Sequence, residues 1–511
     1  MPSQDVDAIL KRLTAAKSRK QLWHNYLREA YRYALPDKQT LDQFSPGQKK
    51  NLEVYDSTAV VALQKYANRM QQQVVPPWKT WMRLEPGSEI PEEAHQEAQK
   101  MLDMATEIIF DHINHSNFST QIHESFMDLG ISTGAIICEE GDGIQSMLHF
   151  RSISLSEIYP EMTKLGTINN VFREFKIPVR DIHAVYPKAE LSGDLARMLN
   201  DSPEKEVTLV EAVLLENEPE GKYETYVVHA ESKAIILEEY NDTSPWIVFR
   251  ESVTPGEVLG RGRIMQLLPD IKTLNKIVEY NLRNAALAIS GVYTGADDGI
   301  LNPHTVKIQP GAIIPVGSNA SSNPSLMPLN RSGDFNLAQL LIQDYRQIIN
   351  EFMFAQPFGA IQETPVRTAT EMGIRNQDLI QTSLSSFGRT QSEMLEPLIK
   401  RVVDILVKSG KLPPLRVDGK EVTIKFTSPM AKIQDMEELQ NLQMYMQNMQ
   451  MLPPDYFEGT IKLEDFPQYI ADKMGIPQKL LRNKAEQDQM KQQIAAVTAH
   501  QGGQVGGTPQ Q

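Results

Sequence analysis

The stretch that most limits how this chain can fold is residues 368–410, TATEMGIRNQDLIQTSLSSFGRTQSEMLEPLIKRVVDILVKSG. Thr368 followed three residues later by Glu371 forms a capping box, in which each side chain satisfies a backbone donor of the first helical turn. Gly410, with Lys408 just before it and Pro413 and Pro414 just after, is a helix stop. Between these signals a helix would run roughly 60 Å at about 1.5 Å per residue, twice the diameter of a small domain. A single core cannot bury it. Ile380, Leu384, Phe387, Met394, Leu398 and Ile405 make one apolar stripe along its length. Gln377, Gln381, Thr382, Ser385, Ser386, Thr390 and Gln391 are uncharged hydrogen-bonding groups on its other faces, a surface suited to polar contact with another chain. Pro397 lies inside, where an imino acid costs about 3 kcal/mol and bends the axis. The reading is a kinked spine.

Ahead of the spine the periodicity divides the chain. Ile9, Leu13, Ala16, Trp23, Leu27, Ala30 and Ala34 lie at helical spacing and predict one long amphipathic helix ending before Pro36. VYDSTAVVALQKYANRMQQQVVPP predicts a second, capped by Asp56 or Ser57 and stopped by Pro76 and Pro77. A third starts at Pro91 with Ala94, Ala98, Leu102, Ala105 and Ile109 inward, and Ser119 caps a fourth that reaches Gly130. From Gly134 the pattern becomes GAIICEE, MLHFRSI, NNVFREF, VTLVEAVLLE, KYETYVVH and PWIVFRE, short β-branched or aromatic runs between turns, with a helical insert near residues 180–198. That predicts an antiparallel sheet. Two long helices follow, IMQLLPDIKTLNKIVEYNLRNAALAIS and FNLAQLLIQDYRQIINEFMFAQ, joined by a Gly-, Pro-, Asn- and Ser-rich excursion with short strands at TVKI and AIIPV. They can run down and back with the excursion at their far end. A connector, PFGAIQETP, leads to the spine, and a hairpin, LRVDGKEVTIKF, turns at Asp418 and Gly419 beyond it. A Met- and Gln-rich helix and the tail HQGGQVGGTPQQ, expected to be disordered, close the chain. The fold class is α+β, mainly α.

Charge and motifs exclude several functions. The 65 acidic against 51 basic residues give a net −14, no signature of a protein that reads nucleic-acid sequence. One cysteine, Cys138, leaves no intrachain disulfide framework and suits a reducing compartment. MPSQDVDAILKRL lacks a secretory apolar region and no run approaches the ~18 apolar residues of a membrane span, so the chain is expected to be soluble before assembly, with no membrane partner. LGRGR lacks both the Lys-Ser of a P-loop and the full Gly-x-Gly-x-x-Gly, which speaks against ATP and against any cofactor. His112, His115 and His123, with Asp111 or Glu124, are the raw material of a metal-dependent hydrolase, the weaker alternative, because no HExxH pattern accompanies them. Asp297 and Asp298 lack EF-hand spacing and read as a turn. No catalytic or metal-binding residue is assigned.

The order of parts resembles the head-to-tail connector, or portal, family of short-tailed bacteriophages. AYRYALPD, GQKKNLEVYDSTAVVALQKYANRMQQQVVPPWKTWMRLEPG, GRGRIMQLLPDIKTLNKI and VRTATEMGIRNQDL carry the likeness, which spans nearly the whole chain. It implies a homododecameric ring of about twelve copies around a channel at one capsid vertex, through which double-stranded DNA is packaged and later ejected. Carried over by position, residues 1–130 are a helical and 131–260 a β-rich part of an outer wing. Residues 261–290 and 335–356 are the stem helices, 291–334 the clip, 357–367 a tunnel loop and 368–410 the long wing helix; 411–498 form a crown and 499–511 a tail, short where the family often carries a barrel.

The resemblance also implies site residues. Lys272, Lys276 and Arg283 would lie on the stem beside DNA, in sparse rings or in intersubunit salt bridges. Phe358, Gly359, Ile361, Gln362 and Glu363 would form the tunnel loop, and Thr368, Glu371 and Arg375 the helix cap at a subunit boundary. Asp297, Asp298, His304 and Lys307 would lie in the clip, where motor and adaptors dock. Implied partners are other copies of the chain, DNA, the terminase large subunit, tail adaptors, and major capsid and scaffolding proteins. The implied place is the virion's head–tail junction, with assembly in the host cytoplasm. A helical scaffold or adaptor without a channel is the second reading.

Overall fold

A computed structural model describes residues 6–38, 41, 48, 54–91, 95–141, 143, 146–164, 166–191, 193–216, 221–290, 293–295, 326–328, 335–355, 388–415 and 417–428, with scattered positions between 438 and 470. The fold mixes α and β and forms two compact units: residues 1–68, 123–136 and 152–365, and residues 69–122, 137–151 and 366–511.

The first unit is built on a five-stranded antiparallel sheet. Its strands β4 (Ile158–Met162), β5 (Ile168–Pro178), β6 (Glu206–Leu215), β7 (Tyr223–His229) and β8 (Ala234–Asn241) lie in sequence order. Because successive side chains alternate faces, β5, β6 and β7 each supply two cores. Phe172, Val210, Ala212, Leu214, Tyr226 and Val228 meet Ile9, Leu13 and Ala16 of helix α1 (Val6–Gln21). Ile177, Val207, Leu209, Val227 and Leu237 pack under Ile182 of the one-turn helix α6 (Ile182–Val185) and Leu195 of α7 (Asp194–Asp201). Charged side chains fix α1 in place: Arg12 pairs with Glu161 at 2.6 Å and Lys17 with Glu174 at 2.6 Å, and the Lys20 ammonium donates to the carbonyls of Leu155, Ser156 and Ile158.

The single N-terminal helix expected from periodicity is in fact two. It breaks at Leu22 and Trp23, and α2 (His24–Ala34) follows. The turn leaves Leu22 exposed and sets the Trp23 ring 5.1 Å from the Arg261 guanidinium, a cation–π contact that the spacing of apolar residues does not encode.

Helix α2 braces the longest described helix, α8 (Arg263–Ser290), which contains Pro269. A proline inside a helix has no N–H for the carbonyl four residues back, here that of Met265. The Tyr26 hydroxyl donates to that carbonyl at 2.5 Å. One turn on, Glu29 accepts from Lys272 at 2.9 Å. Helix α3 (Thr58–Val74) follows Ser57, whose carbonyl accepts the Val61 amide, and just before it Asp56 Oδ1 accepts from the Thr58 amide at 2.9 Å. Asp56 also ties three elements together. Its other oxygen accepts from Arg346 Nη2 at 2.7 Å on α9 (Phe335–Phe352), and its amide, with that of Tyr55, donates to Asn275 Oδ1 on α8. Burial alone would push the Asp56 carboxyl up, but the bonds from Thr58 and Arg346 outweigh it and hold it below its ordinary value.

In the second unit β1 (Met82–Pro86) pairs antiparallel with β12 (Val422–Phe426), Met82 opposite Phe426. The expected hairpin at residues 415–426 is corrected here: Asp418 and Gly419 do make the turn, Asp418 Oδ1 accepting the amides of Lys420 and Glu421, but the strand that follows pairs with β1. Gly87 is required where the pair closes, since a Cβ there would lie 1.9 Å from the Lys420 carbonyl. Helix α4 (His95–His115) packs on β1, and Arg83 holds Asp103 at 2.9 Å. Trp81, Phe110, Phe118 and Phe150 form an aromatic cluster with ring centres 5.0–6.5 Å apart.

The described part of the spine runs from Gly388 to Lys408, and its proposed N-terminal cap lies outside the described residues. Just before Pro397 the helix is wound as a π-turn over Gln391–Leu395, with the Glu396 amide on the Gln391 carbonyl. This is how the chain absorbs the proline. The following α10 (Glu396–Lys408) ends as the sequence indicates: Gly410 has φ +71°, its amide meets the Val407 carbonyl and the Lys411 amide meets that of Leu406, a Schellman motif. Among the described residues no helix is long and apolar enough to cross a membrane.

Two outcomes are expected. Tyr26→Phe leaves the Met265 carbonyl buried without its donor, costing about 1–3 kcal/mol; amide exchange around Pro269 should accelerate, and unchanged exchange would mean the carbonyl is served otherwise. Asp56, with its pKa depressed on folding, contributes stability fully above its unfolded value of about 4 and loses it as pH falls below that. The difference in melting temperature between the native protein and Asp56→Asn should therefore be constant near neutral pH and shrink below about pH 4.

Candidate functional site

The first residue of α8, Arg263, bonds the last of α9, Phe352, and β10 after α8 pairs with β11 before α9, so the two helices run antiparallel; Ile271, Leu274 and Val278 on one and Ile342 and Ile349 on the other are buried. The outer faces are unusual for a finished surface. Tyr280, Leu282 and Ile289 on α8, and Leu337, Leu340 and Ile348 on α9, are exposed. Apolar side chains in such number on two adjacent helices exceed the scattered single residues of an ordinary surface.

The three stem cations predicted from the sequence share one face of α8, at steps of four and seven residues, or roughly 6 and 10 Å along the axis. None is bare. Lys272 is held by Glu29, and Lys276 and Arg283 both reach Glu279, at 2.8 and 2.5 Å. The side chain of Glu279 is 8% exposed, against 54% for Lys276 and 66% for Arg283, so one sheltered carboxylate serves two outward cations. The hydrogen bond from Lys276, with Arg283 adding to it, holds Glu279 below the usual carboxylate range, and Lys276 is raised in return. The group stays ionised at neutral pH. Two carboxylates against three cations leave a stripe of low net charge.

At the root of the pair, Arg263 gathers several groups. Its guanidinium meets Glu251 at 2.7 Å, and the other Glu251 oxygen accepts from the Tyr66 hydroxyl at 2.9 Å. Arg263 Nη1 also donates to the Phe352 carbonyl at 2.9 Å, and the Phe354 ring lies 4.1 Å from the guanidinium carbon. Phe354 has φ +51°. With its amide on Glu351 and the Ala355 amide on Asn350, it occupies the position of a Schellman motif that glycine usually fills. A left-handed residue other than glycine costs about 1–2 kcal/mol, and a desolvated cation–π contact returns about 2 kcal/mol. α9 therefore stops at Phe352, where the sequence reading carried it to Gln356, because a tertiary contact opposes the helical preference of Met353, Phe354 and Ala355.

The clip residues Asp297, Asp298, His304 and Lys307, the strands expected at TVKI and AIIPV, the connector residues Phe358, Gly359, Ile361, Gln362 and Glu363, and the cap residues Thr368, Glu371 and Arg375 lie outside the described residues. Of the excursion between the two helices the structure describes β10 (Tyr293–Gly295) paired antiparallel with β11 (Leu326–Pro328). Sequence reasoning missed Tyr26, Glu29, Glu279 and Arg263. Glu279 was within reach, since it stands three residues after Lys276 and four before Arg283, the spacing of helical ion pairs; the others act across sequence separations that spacing does not reveal.

Two of the three histidines have hydrogen-bond partners within the fold. His115 Nδ1 lies 2.8 Å from the Asp111 carbonyl, and His123 Nε2 lies 3.0 Å from Asn68 Oδ1. Burial lowers His112 and His123. Among the described residues no group of three or more His, Cys, Asp or Glu side chains is placed to hold a metal ion.

Comparison with known proteins bears out the family resemblance. The sequence profile of a family described as bacteriophage head to tail connecting protein matches residues 6–481. A curated relative, named "Probable portal protein" in Bordetella phage BPP-1, is 22% identical over 531 aligned residues, covering 96% of this chain and 93% of the relative. The chain belongs to the bacteriophage head-to-tail connecting protein family.

Proposed function

We propose that this chain is the repeating subunit of a portal ring at one capsid vertex, through which double-stranded DNA enters during packaging and leaves at ejection. The observation that carries the reading is the α8–α9 pair within a family match over residues 6–481. In that reading α8 and α9 are the stem, residues 291–334 the clip, 357–367 the tunnel loop, 368–410 the long wing helix, and residues from 411 the crown. The uncovered apolar faces are buried by neighbouring copies. A head-to-tail contact of this kind closes into a ring when its rotation closes, and about twelve copies is the number the family resemblance implies.

The charge pattern suits passage rather than capture. Phosphate contacts dominate affinity for DNA. If each of about twelve copies offered a bare cation worth about 1 kcal/mol, the sum would hold the duplex by roughly 12 kcal/mol. Glu29 and Glu279 lower that grip by occupying the cations in advance. The chain performs no catalysis in this account. The terminase large subunit supplies the work, tail adaptors dock at the clip, and the major capsid and scaffolding proteins surround the ring, which assembles in the host cytoplasm and stays at the head–tail junction of the virion.

Native mass spectrometry with negative-stain imaging tests the reading directly: a closed ring near twelve copies with a central hole is expected, whereas a persistent monomer or dimer would favour an adaptor without a channel. Deleting residues 357–363 should leave rings intact and impair DNA passage or retention; loss of assembly would count against a tunnel loop there. Glu279→Gln should tighten DNA binding by the assembled protein and steepen its salt dependence, by up to about 0.9 in log–log slope for each phosphate newly contacted. An unchanged slope would remove this face of α8 from the channel wall.

A further inference from the structure

The end of α9 is held in a conformation its own sequence does not favour. Residues 353–356 read Met-Phe-Ala-Gln, ordinary helix formers with neither Gly nor Pro, and the first proline is Pro357. Yet the helix stops at Phe352, with Phe354 left-handed at φ +51° and the Ala355 amide on the Asn350 carbonyl. Two contacts from Arg263 accompany the stop: the stacked Phe354 ring at 4.1 Å and the hydrogen bond to the Phe352 carbonyl at 2.9 Å. The backbone of Phe354 separates two arrangements, and the Phe352 carbonyl has a different donor in each. In a continued α-helix it accepts from the amide of residue 356, four positions on; in the observed one Arg263 Nη1 takes it. Arg263 thus gives the last carbonyl of α9 the donor that the stop takes away.

We propose that Arg263 and Phe354 form a latch that switches α9 between two ends. When latched, Phe354 is left-handed and the helix ends at Phe352. When released, Phe354 turns right-handed, the Phe352 carbonyl passes from Arg263 to the amide of residue 356, and α9 gains about one turn before Pro357 ends it. The direction in which the chain leaves α9 differs between the two. Arg263 is braced for this work: Glu251 fixes its guanidinium, and Tyr66 fixes Glu251. The cost of the left-handed turn belongs to the Cβ of Phe354, whereas the opposing attraction belongs to its ring, so the two can be separated by substitution.

The test uses two variants of the full chain that leave Arg263, Glu251 and Tyr66 untouched. Phe354→Ala keeps the left-handed penalty and removes the ring; Phe354→Gly removes both. Structures determined for each variant, with density that fixes the peptide planes at residues 353–355, read the outcome as the sign of φ at residue 354. The latch requires Phe354→Ala to shift to negative φ with α9 continued, and Phe354→Gly to keep positive φ with the Ala355 amide on Asn350. Both stopped, both continued, or the reverse pairing would each overturn the proposal. Arg263→Lys, which keeps a cation beside Glu251 but has no planar fork to stack or donate in two directions, should shift residue 354 as Phe354→Ala does; retained positive φ there would likewise overturn it.

Discussion

Helix α8 passes through Pro269 because a side chain from another helix does what the imino acid cannot. A buried carbonyl without a donor is among the more expensive local defects in a protein, and Tyr26 removes it at Met265. Much of the first unit then hangs on α8. Glu29, one turn along α2, takes Lys272; Asn275 receives the amides that lead into α3; and through Asp56 the same junction reaches Arg346 on α9. Arg263 repeats the device at the start of the helix, donating to the last carbonyl of α9. The pair of long helices is therefore positioned by polar groups that complete each other's main chain, with apolar packing filling the space between.

This explains what could be read from the sequence and what could not. Periodicity reports packing, so Ile9, Leu13 and Ala16 announced α1, and the β-branched runs announced β5, β6 and β7. Glycine reports backbone conformation, so Gly410 announced the end of α10. The same motif at the end of α9 is silent, because Phe354 fills the glycine position and its compensation comes from Arg263, 91 places earlier in the chain. The break at Leu22 and Trp23 is silent for a similar reason, its partner being Arg261. Local rules failed where a distant side chain opposed a local preference. At the candidate site the three cations of α8 were legible as cations, and their neutralisation was only half legible, since Glu279 is a helical neighbour and Glu29 is not.

Family membership and physical reading meet on α8 and α9. The family supplies ring, channel and capsid vertex as expectations. The residues supply constraints of a kind the family name does not contain: a face of paired charges low in net sign, a set of apolar side chains that a lone subunit leaves in water, and a helix end set by one guanidinium.

The pairing of β1 with β12 bears on how the chain is made. Met82 and its partner Phe426 are separated by most of the polypeptide. At bacterial rates of about 5–20 residues per second, roughly 20–70 seconds pass between the emergence of the two. Throughout that interval β1, with Leu84 in it and Trp81 just before it, lacks the strand that covers its edge. Pairings so distant in sequence form slowly and late, and open strand edges invite association with other chains. The first unit, whose sheet is built from neighbours in sequence, can be complete while the second still waits for its final strand. The open edge of β1 is thus closed only late in synthesis, in the seconds around the emergence of residues 422–426.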